Sequence, residues 1–572
     1  MLWLGPLLAG FAVASTDPPP PLVAKAEAAR ERGDCVAASR LYAQAAESLA
    51  DIAVARRASD LANACGVPEA QWRATKRWRT LDPENIESLR ALGLIDLSQH
   101  RLAEAREVFG TLFAKPDVEI DRALEDLLPE IGEQDSEQAA WAVFRVVVDR
   151  GRISAATRVA LARLAGTAFD YAGARAELTP VLAKQPDSAP AQRLAARLAA
   201  ANGRGDEALK YASRAAELDP KDNGFARAET LSDLDRVAAA AAELERLRQA
   251  DATRDEAQRR LALLALSQGD YTDARRRFSE LLRRGGPAAV EAFFYMGTIA
   301  ELTGDKSAAL ATYERLVDAG GGMLPRSRAA SILLERGERA AGLKLIDDYA
   351  RSNPHEALTI AIARAGLLAD AKLFDDAIEV LNAMLAQHPG DAKLLYERGM
   401  LFERAGRTAE SLRDFETLLV ARPDDPNVLN SLGYTLVDHK RDLPRAERLI
   451  RRAVELMPDN AALVDSLGWA LFRRGDNRSA LPLLERAWNL SYADEIAAHW
   501  GEVLWVSGAR ARARTVWARA LVRDSRAGAV RATMRRLGAT SAVPALPSAL
   551  PAPAAPPAAK PSAPGLPPTT TL

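Results

Sequence analysis

Between Ala24 and Leu521, apolar residues recur three and four positions apart in short runs separated by Gly, Pro, Asp and Asn. That layout predicts short amphipathic helices joined by tight turns. The runs come in pairs, and the pairs are clearest between Asn430 and Leu521. Ser431-Leu432-Gly433-Tyr434 leads to Ala446, Ile450 and Ala453. Ser466-Leu467-Gly468-Trp469 leads to Ala480, Leu484 and Ala487, and His499-Trp500-Gly501-Glu502 to Ala513, Trp517 and Ala520. In each pair the glycine lets the first helix of a hairpin approach the second closely. The later alanines leave room for the next hairpin to stack against both.

The small residue of each second helix serves as a ruler: Ala38, Gln71, Ala105, Ala140, Ala174, Ala208, Ala240, Ala274, Ala309, Gly342, Ala377, Ser411, Ala446, Ala480 and Ala513. Successive steps of about 32 to 35 residues match the roughly 34-residue tetratricopeptide period. Four residues past the marker, on the same helix face, stand Tyr42, Phe109, Phe144, Phe278, Tyr313, Phe415, Ile450, Leu484 and Trp517. Twelve residues past it stand Pro83, Pro186, Pro220, Pro354, Pro389, Pro423 and Pro458, where proline ends one hairpin and opens the next. The fold class that follows is all-α: a tetratricopeptide (TPR) superhelix, or α-solenoid, of about fifteen helical hairpins. From about Phe113 to Gln249 the period persists while the glycine of the first helix is lost. Gly285-Gly286-Pro287 and Gly320-Gly321-Gly322 interrupt the pattern, as long turns or as hinges, and glycines between helices are ordinarily turns.

Composition fits this reading. Lys+Arg 76 against Asp+Glu 77 leaves a net charge of -1, which implies neither a polyanion nor an anionic membrane surface as partner. Residues 1–14 read as a signal peptide-like segment, with an apolar run from Leu2 and Ala12-Val13-Ala14 as a cleavage-like end. No Lys or Arg precedes the run, so either the start lies upstream of Met1 or the signal is a poor one. Residues 15–21 form a Pro-rich linker, 22–538 the repeat array with a short basic capping helix near Arg526 to Leu537, and 539–572 a Pro/Ala-rich tail predicted to be disordered. Cys35 falls at the start of the second helix of the first hairpin and Cys65 at the end of the next first helix. Antiparallel packing brings them to the same end of the stack, as a disulfide that supports export or as two buried thiols.

Chemistry has little to work with. His100, His355, His388 and His439 fall in or beside turns, none is spaced as a zinc ligand pair, and no HExxH, GxSxG, phosphate-binding or dinucleotide motif occurs. No catalytic, metal or cofactor site is predicted. The array offers surface instead, since the first helix of each hairpin lines one face of such a stack. In the C-terminal hairpins that face carries Tyr396, Met400, Asn430, Tyr434, Asp465, Trp469, Phe472 and Trp505. Rings give buried area and amides pair with an extended backbone, so these are candidate protein-binding residues. For Trp469, Phe472 and Trp505, packing between helices is the competing assignment.

The runs Leu429 to Leu436 and His439 to Pro444, with Asp465-Ser466-Leu467-Gly468-Trp469 and Glu495 to Trp505, resemble a family of proteobacterial envelope TPR proteins. One type is an outer-membrane lipoprotein that binds a periplasmic carboxyl-terminal processing protease as its adaptor toward peptidoglycan hydrolases. The resemblance implies a periplasmic or outer-membrane-associated scaffold that brings protease and substrates together. The lipidated type needs a Cys directly after its signal, and Ala12 to Thr16 contains none. A scaffold for polysaccharide export or pilus biogenesis is the alternative.

Overall fold

Hairpin follows hairpin in the computed structural model, which describes residues 20–250, 253–524 and 527–539. The signal-like segment, most of the linker and all of the tail but Ala539 lie outside those residues. The described residues run as α-helices from Pro21–Glu31 to Gly528–Arg536, in about fifteen repeats, and contain no strand. Pro21, placed by the sequence in the linker, opens the first helix, where its missing N–H costs nothing.

One unit recurs with small variations. In the hairpin from Ala461–Arg473 to Asn477–Leu490, the Asn460 side chain accepts hydrogen bonds from the N–H groups of Ala462 and Leu463 and starts the first helix. Gly475, at φ 89°, turns the chain, and Asp476 caps the second helix through the N–H of Ser479. The longer His439 to Pro444 turn uses Lys440 at φ 53° and Asp442 at φ 35°, where Asp442 caps Leu443–Leu456.

Close approach explains the glycines. A Cβ on Gly93, Gly297, Gly399, Gly433, Gly468 or Gly501 would lie 2.6, 2.8, 2.8, 2.6, 2.7 or 2.0 Å from Phe109, Tyr313, Phe415, Ile450, Leu484 or Trp517. The bulky residue four past the ruler alanine thus fills the groove that glycine opens, at the density of a protein interior. The alanines of the ruler, from Ala38 to Ala513, are all 0% exposed. Gln71 is the departure: it is half-buried, and Ala70 and Ala74 take the buried positions around it.

Contacts divide the chain into two units, Met1–Thr157 and Arg158–Leu572. In the first, a disulfide joins Cys35, the first residue of Cys35–Ser48, to Cys65, the C-cap of Ile52–Ala64, with Cα atoms 5.6 Å apart. Most of its core near that bridge is alanine, and Ser59 and Thr75 meet at 2.6 Å where a glycine and a large residue would otherwise interlock. Phe109, Phe113 and Phe144 cluster further on, with ring centroids 5.1–5.8 Å apart.

In the second unit a single core runs from Ala365 to Ala539. The glycine turns at Gly285-Gly286 and Gly320-Gly321-Gly322 fall inside this unit, consistent with turns between hairpins. Two contacts join hairpins far apart in sequence. The Asp459 N–H donates to the Phe169 carbonyl at 2.7 Å and Asp459 Oδ2 accepts from the Tyr171 N–H at 3.1 Å, while Arg523 pairs with Asp235 at 3.1 Å. The Tyr171–Asp459 and Asp235–Arg523 pairs share an offset of 288 residues, about eight and a half repeats of 34. A shared offset is what one full turn of a regular superhelix produces.

Candidate protein-binding face

Three consecutive first helices, Pro426–Asp438, Ala461–Arg473 and Asp494–Val506, carry Asn430, Tyr434, Asp465, Trp469, His499 and Glu502. Asn430 and Asp465 are equivalent residues of the first two helices. One turn further along each helix stand Tyr434, Trp469 and Glu502. Periodicity therefore aligns them in rows across the stack.

His499 ties the rows together. Its Nδ1 lies 2.7 Å from Asp465 Oδ2, which assigns the proton to that nitrogen. Its ring stacks on Trp469, with centroids 4.2 Å apart and planes 16° apart, and Tyr434 lies 6.4 Å away. Phe472 packs on Trp469 from the same helix at 5.2 Å. The Arg473 guanidinium sits 5.5 Å from the Trp469 ring and 3.6 Å from the Asp438 carboxylate. Glu502, buried, accepts from Arg536 of the last helix at 2.8 Å, so that helix closes the row with a cation.

Burial and charge pull against each other here. Burial opposes the charged form of His499, but the Asp465 carboxylate, helped by Glu502 and Asp438, outweighs it and raises the imidazole pKa. Burial also pushes the Tyr434 phenol up, and the neighbouring Asp438 and Asp465 push it further. Tyr434 stays neutral at any physiological pH. Asp465 is 5% exposed and Trp469 6%. Even so, Asp465 Oδ1, Trp469 Nε1 and Asn430 Oδ1 are buried with no hydrogen-bond partner.

The remaining residues singled out in the sequence sit as follows. Tyr396 is partly buried, and its hydroxyl is 3.0 Å from Ser431 Oγ, which links two successive first helices. Met400 is 37% exposed. Trp505 packs on Trp517 at 5.7 Å, with Arg510 and Arg514 each 5.1 Å from its ring. Sequence reasoning passed over His499, Glu502 and Arg536 as face residues. The repeat offset was the available signal, because His499 lies 34 residues beyond Asp465 and Arg536 lies 34 beyond Glu502. It also found no metal-spaced cluster, whereas folding brings Glu403, Asp438 and His439 together at one end of the hairpins, with a ligand atom of each within 4.8 Å of the others. His439 Nε2 there lies 2.8 Å from Glu403 Oε1, so two of the three already share a hydrogen bond.

Helical hairpins of constant period, interlocked by glycine and a bulky partner, make this a tetratricopeptide repeat protein. Residues 167–232, 259–323, 327–392 and 365–430 match tetratricopeptide repeat family models. The chain is 32% identical over 212 residues to the TPR repeat-containing protein PA4667 of Pseudomonas aeruginosa, which covers 37% of this chain and 36% of that protein. It is 30% identical over 156 residues to cellulose synthase operon protein C of Pseudomonas fluorescens, across 26% of this chain and 12% of that one. The chain thus spans about a third or less of the length of these relatives. Yeast Tom70 aligns over 90% of this chain and 96% of its own at 14% identity, with a TM-score of 0.36, too weak a likeness to add to the argument. Among the described residues no helix is long and apolar enough to cross a membrane.

Proposed function

We propose that this protein is a protein-binding scaffold of the bacterial cell envelope that presents substrates to a periplasmic carboxyl-terminal processing protease. The observation that carries the binding role is the row of half-buried and exposed side chains Asn430, Tyr434 and Asp438, one per turn of Pro426–Asp438, on a face that repeat architecture leaves available to a ligand. The Cys35–Cys65 bridge supports an oxidising compartment, since such bridges persist outside the cytoplasm. The protease follows from the resemblance of the C-terminal hairpins to the envelope adaptor family. Such a scaffold acts by raising the local concentration of two partners and needs no chemistry of its own.

A second reading has one observation in its favour. The similarity to cellulose synthase operon protein C supports a scaffold for polysaccharide export. Affinity purification of the tagged protein after mild cross-linking in its host envelope, followed by mass spectrometry, separates the two. A stoichiometric processing protease supports the adaptor. An inner-membrane synthase or a secretin in its place supports the export scaffold and overturns the adaptor.

A further inference from the structure

Charge balances over the whole chain but not locally. Residues 507–538 hold nine arginines against one acidic residue, Asp524. Residues 117–137 hold nine acidic residues against one cation, Arg122. The net charge of -1 conceals both.

The arginine surface covers the last hairpin and the helix that caps it. Arg536 reaches Glu502 across 34 residues, so Arg531 and Arg535 stand one repeat beyond Ala497 and Gly501. On that side of a first helix the second helix of the hairpin packs, as Trp517 does over Gly501. No second helix follows Gly528–Arg536 among the described residues, and Arg531 and Arg535 are exposed there. On Arg510–Arg523, Arg510 is exposed and Arg514 half-buried, each with its guanidinium 5.1 Å from the half-buried Trp505 ring. A guanidinium stacked on a ring keeps its N–H edge free for an anion. Arg512, Arg523 and Arg536 already pair with Glu485, Asp235 and Glu502. Arg510, Arg514 and Arg535 have no carboxylate within ion-pair distance among the described residues.

The acidic stretch is equally open. Glu125, Asp126 and Glu133 share the outward side of Ile120–Glu133, with Arg122 beside them. Asp117, Glu119 and Asp135 flank that helix. All six carboxylates are exposed, and none is in an ion pair among the described residues. Glu130, by contrast, pairs with Arg90, and Asp121 accepts from the Ser154 N–H at 2.9 Å. Like charges gathered this way repel, and the cost falls when a surface of opposite sign covers them.

We infer that copies of this chain associate, the arginine surface of one copy seated on the acidic helix Ile120–Glu133 of another. Each surface supplies the charge that the other lacks, and both are accessible. The contact joins two different patches, so every copy offers one of each. Because the groups are exposed, salt screens the attraction. This goes beyond the binding of envelope partners and uses residues outside the Asn430, Tyr434 and Asp438 row.

Sedimentation equilibrium of the full chain in salt of about 0.1 M and about 1 M, where screening lengths are about 10 Å and about 3 Å, tests this. Association is expected at the lower salt and is expected to weaken about tenfold or more at the higher. Arg510→Glu with Arg535→Glu, and Glu125→Lys with Glu133→Lys, all at exposed positions, are each expected to weaken it about tenfold at the lower salt. Their thermal unfolding should match the unaltered protein. An equal mixture of the two double variants is expected to recover association, because the acidic helix of the first meets the arginine surface of the second. A monomer at every concentration overturns the proposal, as does association indifferent to salt or to both reversals, or folded variants that fail to recover on mixing. Binding of a monomeric chain to phosphatidylglycerol vesicles, lost in Arg510→Glu with Arg535→Glu, would assign the arginine surface to anionic lipid and overturn it too.

Discussion

Two stretches of the same unit solve the stacking problem differently. From Ala365 to Ala539 the buried side chains join into one core that includes Phe415, Ile450, Leu484 and Trp517, each seated over a glycine. From Ala196 to Leu261 the core breaks into groups of three, such as Ala196 with Ala212 and Ala226. At the equivalent hairpin positions, Gly468 and Leu484 interlock in one stretch while Ala196 meets Ala212 in the other. Both pairs fill the gap between helices. Only the first buries a large apolar area and links one hairpin to the next. The interlocked stretch also carries the proposed binding face, and its continuous core gives that face a rigid support.

The comparison can be broken by substitution. Trp517→Ala removes the largest fully buried side chain and leaves Gly501 facing a void. It is expected to cost about 3–5 kcal/mol in urea unfolding, against about 1 kcal/mol or less for Ala212→Gly. The first hairpins sharpen the contrast, because their alanine-rich interfaces resemble the patchy stretch yet are held by the Cys35–Cys65 bridge. Cys35→Ser is expected to destabilise them by about 3–4 kcal/mol, the loop-closure value for such a span, read as early proteolytic cleavage near Asp51.

A buried carboxylate gives the next effect. Asp96 is 1% exposed; burial raises its pKa to about 7 although the Trp72 Nε1–H donates to it at 2.9 Å. The folded protein therefore favours the protonated acid. That contribution is full below the ordinary carboxylate value of about 4 and is lost as pH rises through 7. Asp96→Asn is expected to raise stability by about 1–3 kcal/mol at pH 8 and to have little effect at pH 4, measured by thermal unfolding across that range. His499 acts in the same sense in the other unit. Its raised pKa supplies stability below about 6.5 that fades as pH rises through its folded value. The smallest effect is a repair: Ala196→Gly with Ala212→Leu converts the patchy pair to the interlocked kind. The double variant is expected to gain up to about 1 kcal/mol where Ala212→Leu alone loses it.

Much of the architecture was legible in the primary structure because the determinants are local. The ruler alanines and their bulky partners follow from one helix face meeting the next, and the structure buries them as that argument requires, while the terminating prolines follow from their missing N–H and sit in exposed or half-exposed turns. The cluster around His499 was less legible. A histidine in a helix carries no periodic signal of its own, and its value comes from Asp465, one repeat away in the adjacent first helix. The contact of Asp459 with Phe169 and Tyr171 was not legible at all. It depends on the accumulated rotation of about eight and a half repeats, and no short window of residues encodes that sum.

Hydrogen exchange of the full native chain, followed by mass spectrometry, tests the contrast between the two stretches most directly. The account predicts slow exchange that gives way in one concerted step across first and second helices from Ala392 to Arg523. It predicts faster, hairpin-by-hairpin exchange from Ala189 to Arg248. Equal protection in both stretches, or earlier opening of the helices that carry Asn430, Asp465 and His499, would contradict it.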